Sequence, residues 1–270
     1  LLNFYLSHTG ARAAVVEASL APLALSAEVV EGTPLATAVI ANGEAAPARV
    51  ATVTLEAFCA GRPDHLPAAD TSRDDMAFWL YSSGSTGRPK GIVHLQHDMA
   101  YTAASYANHV LKLAPGDICF SVPKVFFAYG LGNSFTFPFS AGAASVLMPG
   151  RPDPARVFDA IARHRPTVLF GLPTLYTALV HAKEAEGADT SSLRLCISAA
   201  EVLSEEVAAL WRRRTGLPII EGLGSTEVLH IYLSNTQEAQ RPGAAGLRVP
   251  GSEGSLRDPD GLREVADSEE

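Results

Sequence analysis

Tyr81-Ser82-Ser83-Gly84-Ser85-Thr86-Gly87-Arg88-Pro89-Lys90-Gly91 is the most informative stretch of this chain, and it follows directly on the apolar run Ala77–Leu80. Its three glycines let the backbone turn tightly and bring N–H groups close to an anion. Hydroxyls on Ser82, Ser83, Ser85 and Thr86 can donate to phosphate oxygens, and Lys90 closes the loop with a positive charge. The Walker pattern is excluded, because Lys90 stands between Pro89 and Gly91 and no Ser or Thr follows it. A flexible Ser/Gly linker is disfavoured, since linkers rarely abut a core strand and end in Pro-Lys-Gly.

Outward from this loop, short β-rich runs alternate with helical patterns. The strand candidates are Ala13–Val16, Thr37–Ala41, Ala77–Tyr81, Ile118–Val122, Ala144–Met148, Thr167–Phe170, Leu193–Ile197 and Pro218–Ile220. Most are continuous apolar runs, as strands buried on both faces should be. Helix candidates are Asp98–Leu111, Pro154–His164, Pro173–Lys183 and Ser204–Thr215, with Asp153 as N-cap and Pro154 at the first helical position of the second. This alternation predicts an α/β chain with a parallel sheet and helices on both faces. Residues 42–75 read as a surface connection around a short helix near Thr54–Cys59. From Gly243 the texture turns to Gly, Pro and charge, with a turn expected at Asp258-Pro259-Asp260-Gly261.

Composition sets the outer bounds. With 47% hydrophobic and 19% charged residues, the 270-residue chain is neither disordered nor collagen-like, and at roughly 150 residues per domain it holds one or two. Net charge is 21 − 29 = −8 with no basic block, which argues against nucleic acid or an anionic membrane as the main partner. No uncharged apolar run reaches the ~20 residues that span a bilayer, and no secretory-type leader opens the chain. Cys59, Cys119 and Cys196 lie far apart without a CxxC pair, so the expectation is reduced, buried thiols in a cytoplasmic protein. The chain starts Leu1-Leu2 without Met and stops in Asp267-Ser268-Glu269-Glu270, and we expect a fragment cut at both ends.

The loop resembles the phosphate-binding signature of the adenylate-forming superfamily, which includes acyl- and aryl-CoA ligases, peptide-synthetase adenylation domains and luciferases. Gly222-Leu223-Gly224-Ser225-Thr226-Glu227, more than 130 residues further on, supports that resemblance by its order and distance. The resemblance implies an α/β fold: the layered αβαβα large N-terminal domain of these enzymes, incomplete, over residues 1–240. Residues 241–270 are then the start of a β-rich barrel subdomain, and the mobile C-terminal lid domain finds no match. It also implies ATP and Mg²⁺ as ligands. Ser82, Ser83, Gly84, Ser85, Thr86, Gly87 and Lys90 would hold phosphates, Thr226 would contact phosphate, and Glu227 would bind the metal. That last role agrees with the preference of Mg²⁺ for hard carboxylate oxygen.

Two segments point to the benzoate–CoA ligase branch. Lys124-Val125-Phe126-Phe127-Ala128-Tyr129-Gly130-Leu131-Gly132-Asn133 resembles that branch in having Phe127 where many other members have His. The implied roles are Phe127 as a gate between acyl and nucleotide sites, with Ala128 and Tyr129 lining an aryl pocket. Gly224-Ser225-Thr226-Glu227-Val228-Leu229-His230-Ile231 is similar too, implying Gly224 and Ile231 as pocket walls and His230 near the substrate carboxylate, to which an imidazole can donate. The adenine segment departs from the branch. Ser198-Ala199-Ala200-Glu201-Val202-Leu203 carries Ala200 where Gly is usual, and Glu201, Glu221 and Gly222 complete the expected adenine contacts. If that position needs φ > 0, Ala costs about 1 kcal/mol or more.

The implied reaction is ATP-dependent activation of a benzoate-like aromatic acid to an acyl-adenylate, then transfer to coenzyme A, with Lys90, Thr226, Glu227 and His230 as the catalytic set. Two alternatives stay open: an aryl-acid adenylation domain that loads a carrier protein, and a non-catalytic nucleotide-binding remnant. These 270 residues alone are expected to bind nucleotide weakly and adenylate poorly. The ring substituents and the oligomeric state are left open by the sequence.

Overall fold

Why apolar runs separated by helical patterns become one sheet is visible in a computed structural model of the chain, which describes residues 1–83, 87–241 and 243–255. The expected turn at Asp258–Gly261 lies outside the described residues. Two compact units form, Leu1–Asp70 and the chain from Thr71 onward.

In the first unit, β1 (Ala13–Glu17), β2 (Thr37–Ala41) and β3 (Ala51–Thr54) pair in parallel in that spatial order. Central β2 buries Ala38, Val39 and Ile40, and a small core of Leu25, Val30 and Leu35 packs with it. The expected helix follows as Leu55–Cys59, N-capped by Thr54, whose hydroxyl accepts the Ala57 N–H at 3.1 Å. Two expectations are corrected here. The stretch read as a surface connection contains β3, a strand too polar at Thr52 and Thr54 to stand out by hydrophobicity. Cys59 is exposed, because its helix is short and presents it to solvent, while Cys119 and Cys196 are buried.

The second unit begins with an antiparallel ribbon, β4 (Met76–Ser82) and β5 (Lys90–Leu95). A seven-stranded sheet follows, with β6 (Ile118–Ser121), β7 (Ala144–Val146), β8 (Val168–Gly171), β9 (Leu195–Ala199), β10 (Ile219–Gly224), β11 (Ile231–Ser234) and β12 (Leu247–Arg248) in the order β12-β11-β10-β9-β8-β6-β7. From β7 to β10 every pairing is parallel, as the alternation predicts, and β11 and β12 add antiparallel. The apolar run before the loop is therefore not a strand buried on both faces. It is one half of a half-buried ribbon whose partner β5 opens with Lys90-Gly91 and lacks an apolar run of its own.

β8 and β9 are buried on both faces, and their alternation divides the core. Leu169 and Cys196 point to a cluster with Phe120, Ile161, Tyr176 and Trp211, roofed by helices Pro154–His164, Pro173–His181 and Glu205–Thr215. Val168, Phe170, Leu195 and Ile197 point the other way, to Tyr106, Leu111 and Phe137. Helices thus cover both faces. Helix Pro154–His164 has the expected bounds, with Asp153 accepting the Arg156 N–H at 3.0 Å. The expected helix Asp98–Leu111 is α-helical only over Asp98–Thr102 and widens to a π-helix over Ala103–Asn108. Its first residue does not cap it. The Asp98 carboxylate turns back to accept the Leu95 N–H at 3.0 Å. No helix among the described residues is long and apolar enough to cross a membrane.

The starts of β6, β8 and β9 are tied by one polar knot. Arg194 donates to both oxygens of Asp117, Nε to Oδ1 at 2.8 Å and Nη2 to Oδ2 at 2.7 Å, and Thr167 donates to Oδ1 at 2.7 Å. The Ile118 N–H donates to Thr167 Oγ1 at 3.0 Å. Burial pushes the Asp117 carboxyl up, but hydrogen bonds from Arg194, Thr167 and the Ala114 N–H, with the Arg194 charge, outweigh it and hold it at about 2.

Asp117→Ala leaves the guanidinium without its partner. The expected cost is about 2 kcal/mol, below the usual range for a buried pair because Arg194 stays about a third exposed. Asp153→Ala removes a cap alone and is expected to cost about 1 kcal/mol. Urea unfolding of the two variants checks both the values and their order.

Candidate functional site

In parallel sheets ligands bind beyond the carboxyl ends of the strands, where the connecting loops gather. Here those ends belong to β6, β8, β9 and β10, and the residues that the sequence analysis singled out sit after β6 and β9, in the β10–β11 hairpin, or in the segment from β4 to β5.

The glycine-rich loop connects β4 to β5. Ser82 ends one strand and Lys90 opens the other, paired in register. Gly87 adopts φ +77°, the left-handed region, with open space around its α-carbon, so conformation rather than crowding calls for glycine there. Gly84, Ser85 and Thr86 lie outside the described residues.

The second motif forms the β10–β11 hairpin. The Ser225 N–H donates to the His230 carbonyl at 3.3 Å, and the Leu229 N–H donates to the Thr226 carbonyl at 3.1 Å. A β-carbon on Gly224 would meet the His230 carbonyl oxygen at 2.6 Å, so only glycine lets the two strands close. Glu227 is exposed at the tip. Its own N–H and the Ser225 hydroxyl lower its carboxyl below the usual range, burial opposes them slightly, and the charges of Lys90 and His94 lower it further. The end of the first motif and the acid of the second are therefore within electrostatic reach across 227 − 90 = 137 positions. Beside Glu227 opens a cavity of about 620 Å³, lined among others by Ser225, Leu229, Ile231, Asp98 and Tyr101.

His230 is 3% exposed and packs inside a cage of rings, 4.4 Å from Phe137, 5.1 Å from Tyr106 and 5.4 Å from Tyr129. Its Nε2 lies 3.1 Å from Asn133 Oδ1. Burial lowers its pKa to about 3, opposed weakly by the nearby Tyr129 carbonyl, so the ring is neutral. Ile231 is buried beside Ile220 and Ala199. Tyr129 packs on the imidazole, and Ile231 belongs to the same core cluster as Tyr129. Phe127 does not join them: it is 58% exposed and packs on Phe126 at 4.6 Å. Ala128 follows it in the first turn of helix Ala128–Leu131.

At the end of β9, Ala200 adopts φ +78°. The condition set out from the sequence is met, and this alanine sits where glycine costs nothing. Glu201 beside it is exposed. Glu221 accepts the Leu203 N–H at 3.1 Å, which ties the turn after β9 to β10, and it lines a second cavity of about 260 Å³ with Leu203, Arg212 and Arg241. Gly222 faces Ile231, which a β-carbon would meet at 2.8 Å. Sequence reasoning left Gly132, Asn133, Tyr106 and Phe137 without roles. The one signal was the tight Gly130-Leu131-Gly132-Asn133 spacing inside a segment already singled out.

A family model described as AMP-binding enzyme matches residues 2–270. The chain is 42% identical over 259 residues to the benzoate–CoA ligase of Thauera aromatica, covering 96% of this chain and 48% of that one. Among solved structures, the anthranilate CoA ligase AuaEII in complex with anthranoyl-AMP superposes with a TM-score of 0.90 at 35% identity, over 97% of this chain and 50% of that one. A benzoate CoA ligase from Burkholderia xenovorans LB400 gives 0.85 at 37% identity, over 99% and 52%. The chain spans about half the length of the curated relatives it matches.

Ala200→Gly is expected to stabilise the chain by about 1 kcal/mol, since it removes a left-handed alanine; the urea midpoint checks it. A second expectation concerns pH. The unfolded His230 takes a proton near 6.5 and the folded one only near 3, so stability is full above about 6.5 and falls as pH drops toward 3. His230→Gln is expected to flatten the unfolding profile across that window.

Proposed function

The chain belongs to the AMP-binding enzyme family, and we propose that it supplies the nucleotide- and acid-binding part of an aryl-carboxylate–CoA ligase. On this reading residues 1–240 are a partial large adenylation domain and 241–270 begin a β-rich subdomain. The carboxylate of a benzoate-like acid attacks the α-phosphorus of ATP; the bond to pyrophosphate breaks and an acyl-adenylate forms. The thiol of coenzyme A then takes the acyl group and AMP leaves. We place this chemistry in the cytoplasm, in the breakdown of aromatic acids.

The observation that carries the reading is the approach of Lys90 to Glu227. The charge of a phosphate-binding cation is felt at an exposed carboxylate in the second motif, and charge neutralisation is what phosphoryl and nucleotidyl transfer need most. Ser82, Ser83, Gly84, Ser85, Thr86, Gly87 and Lys90 hold the β- and γ-phosphates, and Thr226 adds a hydroxyl. Glu227 fits Mg²⁺ because its exposed, ionised carboxylate is a hard oxygen donor; the metal supplies Lewis-acid charge at the phosphates. Tyr129, Ala128, Gly224 and Ile231 wall the aryl group, with Phe127 as the gate and His230 near the acid's carboxylate. Ala200, Glu201, Glu221 and Gly222 border the adenine.

Ala200 favours a second reading on its own account. A strained turn where the adenine is expected supports weak nucleotide binding, as a non-catalytic remnant would show.

Titration calorimetry of the chain with ATP, Mg²⁺ and a non-hydrolysable benzoyl-adenylate analogue decides between them. We expect the analogue to bind more tightly than ATP, Lys90→Ala to weaken ATP about tenfold, the worth of one charge-assisted contact, and Glu227→Gln to remove the Mg²⁺ dependence. No binding of the analogue would overturn the ligase reading and leave the remnant.

A further inference from the structure

The cavity of about 260 Å³ beside Glu221 opens where helix Glu205–Thr215, β10 and the loop after β11 come together. Two guanidiniums line it, Arg212 from the last turn of the helix and Arg241 from the loop. Among the described residues neither has an ion pair or a side-chain hydrogen bond. Cations at a helix C-terminus complement its dipole, and Arg212, Arg213 and Arg214 all stand there, but of the three only Arg212 lines the cavity.

The loop that presents Arg241 is held by a buried amide. Asn235 Oδ1 accepts the Arg241 N–H at 2.9 Å, and Asn235 Nδ2 donates to the Ala244 carbonyl at 2.8 Å. The Asn235 N–H donates to the Glu221 carbonyl at 3.0 Å, so the backbone at Arg241 is anchored to β10 and its side chain is left over. Gly243 borders the same space, and a β-carbon there would meet nothing within 4 Å. Two carboxylates share the lining. Glu221 is engaged by the Leu203 N–H at 3.1 Å, while Glu205 has no partner among the described residues and is the free countercharge.

We propose that Arg212 and Arg241 form a second anion site, for a phosphate group, separate from the glycine-rich loop. None of the residues assigned to the phosphates of ATP lines this cavity. Arginine presents a planar fork of donors that matches phosphate oxygens, and two of them answer the nearly dianionic charge of a phosphate monoester. At roughly 30 Å³ per water, the space admits a phosphate with several waters around it. The group comes either as free phosphate or on coenzyme A, and only the second source rests on the ligase reading.

Titration calorimetry of the 270-residue chain with inorganic phosphate, coenzyme A and dephospho-coenzyme A tests the site. Inorganic phosphate is expected to bind, and about tenfold more weakly in Arg212→Ala and in Arg241→Ala, the worth of one charge-assisted contact. Glu205→Gln removes the free countercharge and is expected to tighten phosphate, a gain that a merely structural role of the arginines would not give. Lys90→Ala is expected to leave this binding in place. Coenzyme A that binds more tightly than its dephospho form, with the difference gone in Arg212→Ala, assigns the group to the coenzyme; equal affinity of the two forms assigns it to free phosphate. Phosphate and coenzyme A that both fail to bind, or that bind alike with and without the arginines, overturn the proposal. A chain that binds phosphate here but no benzoyl-adenylate analogue rejects the ligase reading and keeps the site. Thermal melts of the variants confirm that the comparison is made on folded protein.

Discussion

The Asp117 carboxylate is the point on which the larger unit hangs. It stands just before β6 and gathers a hydroxyl from the residue before β8 and two nitrogens of a guanidinium from the residue before β9. Parallel strands cannot be joined by short turns, so their starts must be aligned by something other than the chain. A bidentate arginine and a threonine do that here, with little freedom in angle. One edge of the sheet is thereby spent on alignment, and the opposite edge, where the strands end, is left to loops.

Those loops have opposite physical characters. The ribbon of β4 and β5 and the hairpin of β10 and β11 put Lys90 and Glu227 at exposed positions within electrostatic reach of each other, where charge can be offered to a ligand. His230 lies three residues beyond Glu227 and is sealed among rings, held neutral by burial. An exposed charged tip and a buried neutral wall in one short hairpin are what a site needs if one part of its ligand is a polyanion and another a flat apolar ring. Gly224 makes the combination possible, because a side chain there would push the hairpin strands apart.

Backbone conformation sets a second limit. Ala200 holds a left-handed turn that glycine adopts without strain, and Glu221 binds that turn to β10 through the Leu203 N–H. The sheet keeps the turn in place although its residue disfavours it, which is strain stored at the end of β9.

Much of this was legible in the residues. Helix Pro154–His164 was read to its last residue because Asp153 and Pro154 signal its start locally. Strand β2 was read as well, because a continuous apolar run has few other uses. β3, β5 and β11 were not. They are polar, glycine-bearing or short, and they become strands only when a neighbour supplies their hydrogen bonds. The candidate site divides in the same way. The glycines, Lys90, Glu227 and the doubtful Ala200 stand out because phosphate loops and left-handed turns restrict residue type within a few positions. That Phe127 faces outward, that Glu221 is occupied by the Leu203 N–H, and that Asn133 faces His230 were decided by tertiary structure alone. Each depends on which distant segment packs alongside, and side-chain packing across 97 positions leaves no periodic trace in a single sequence.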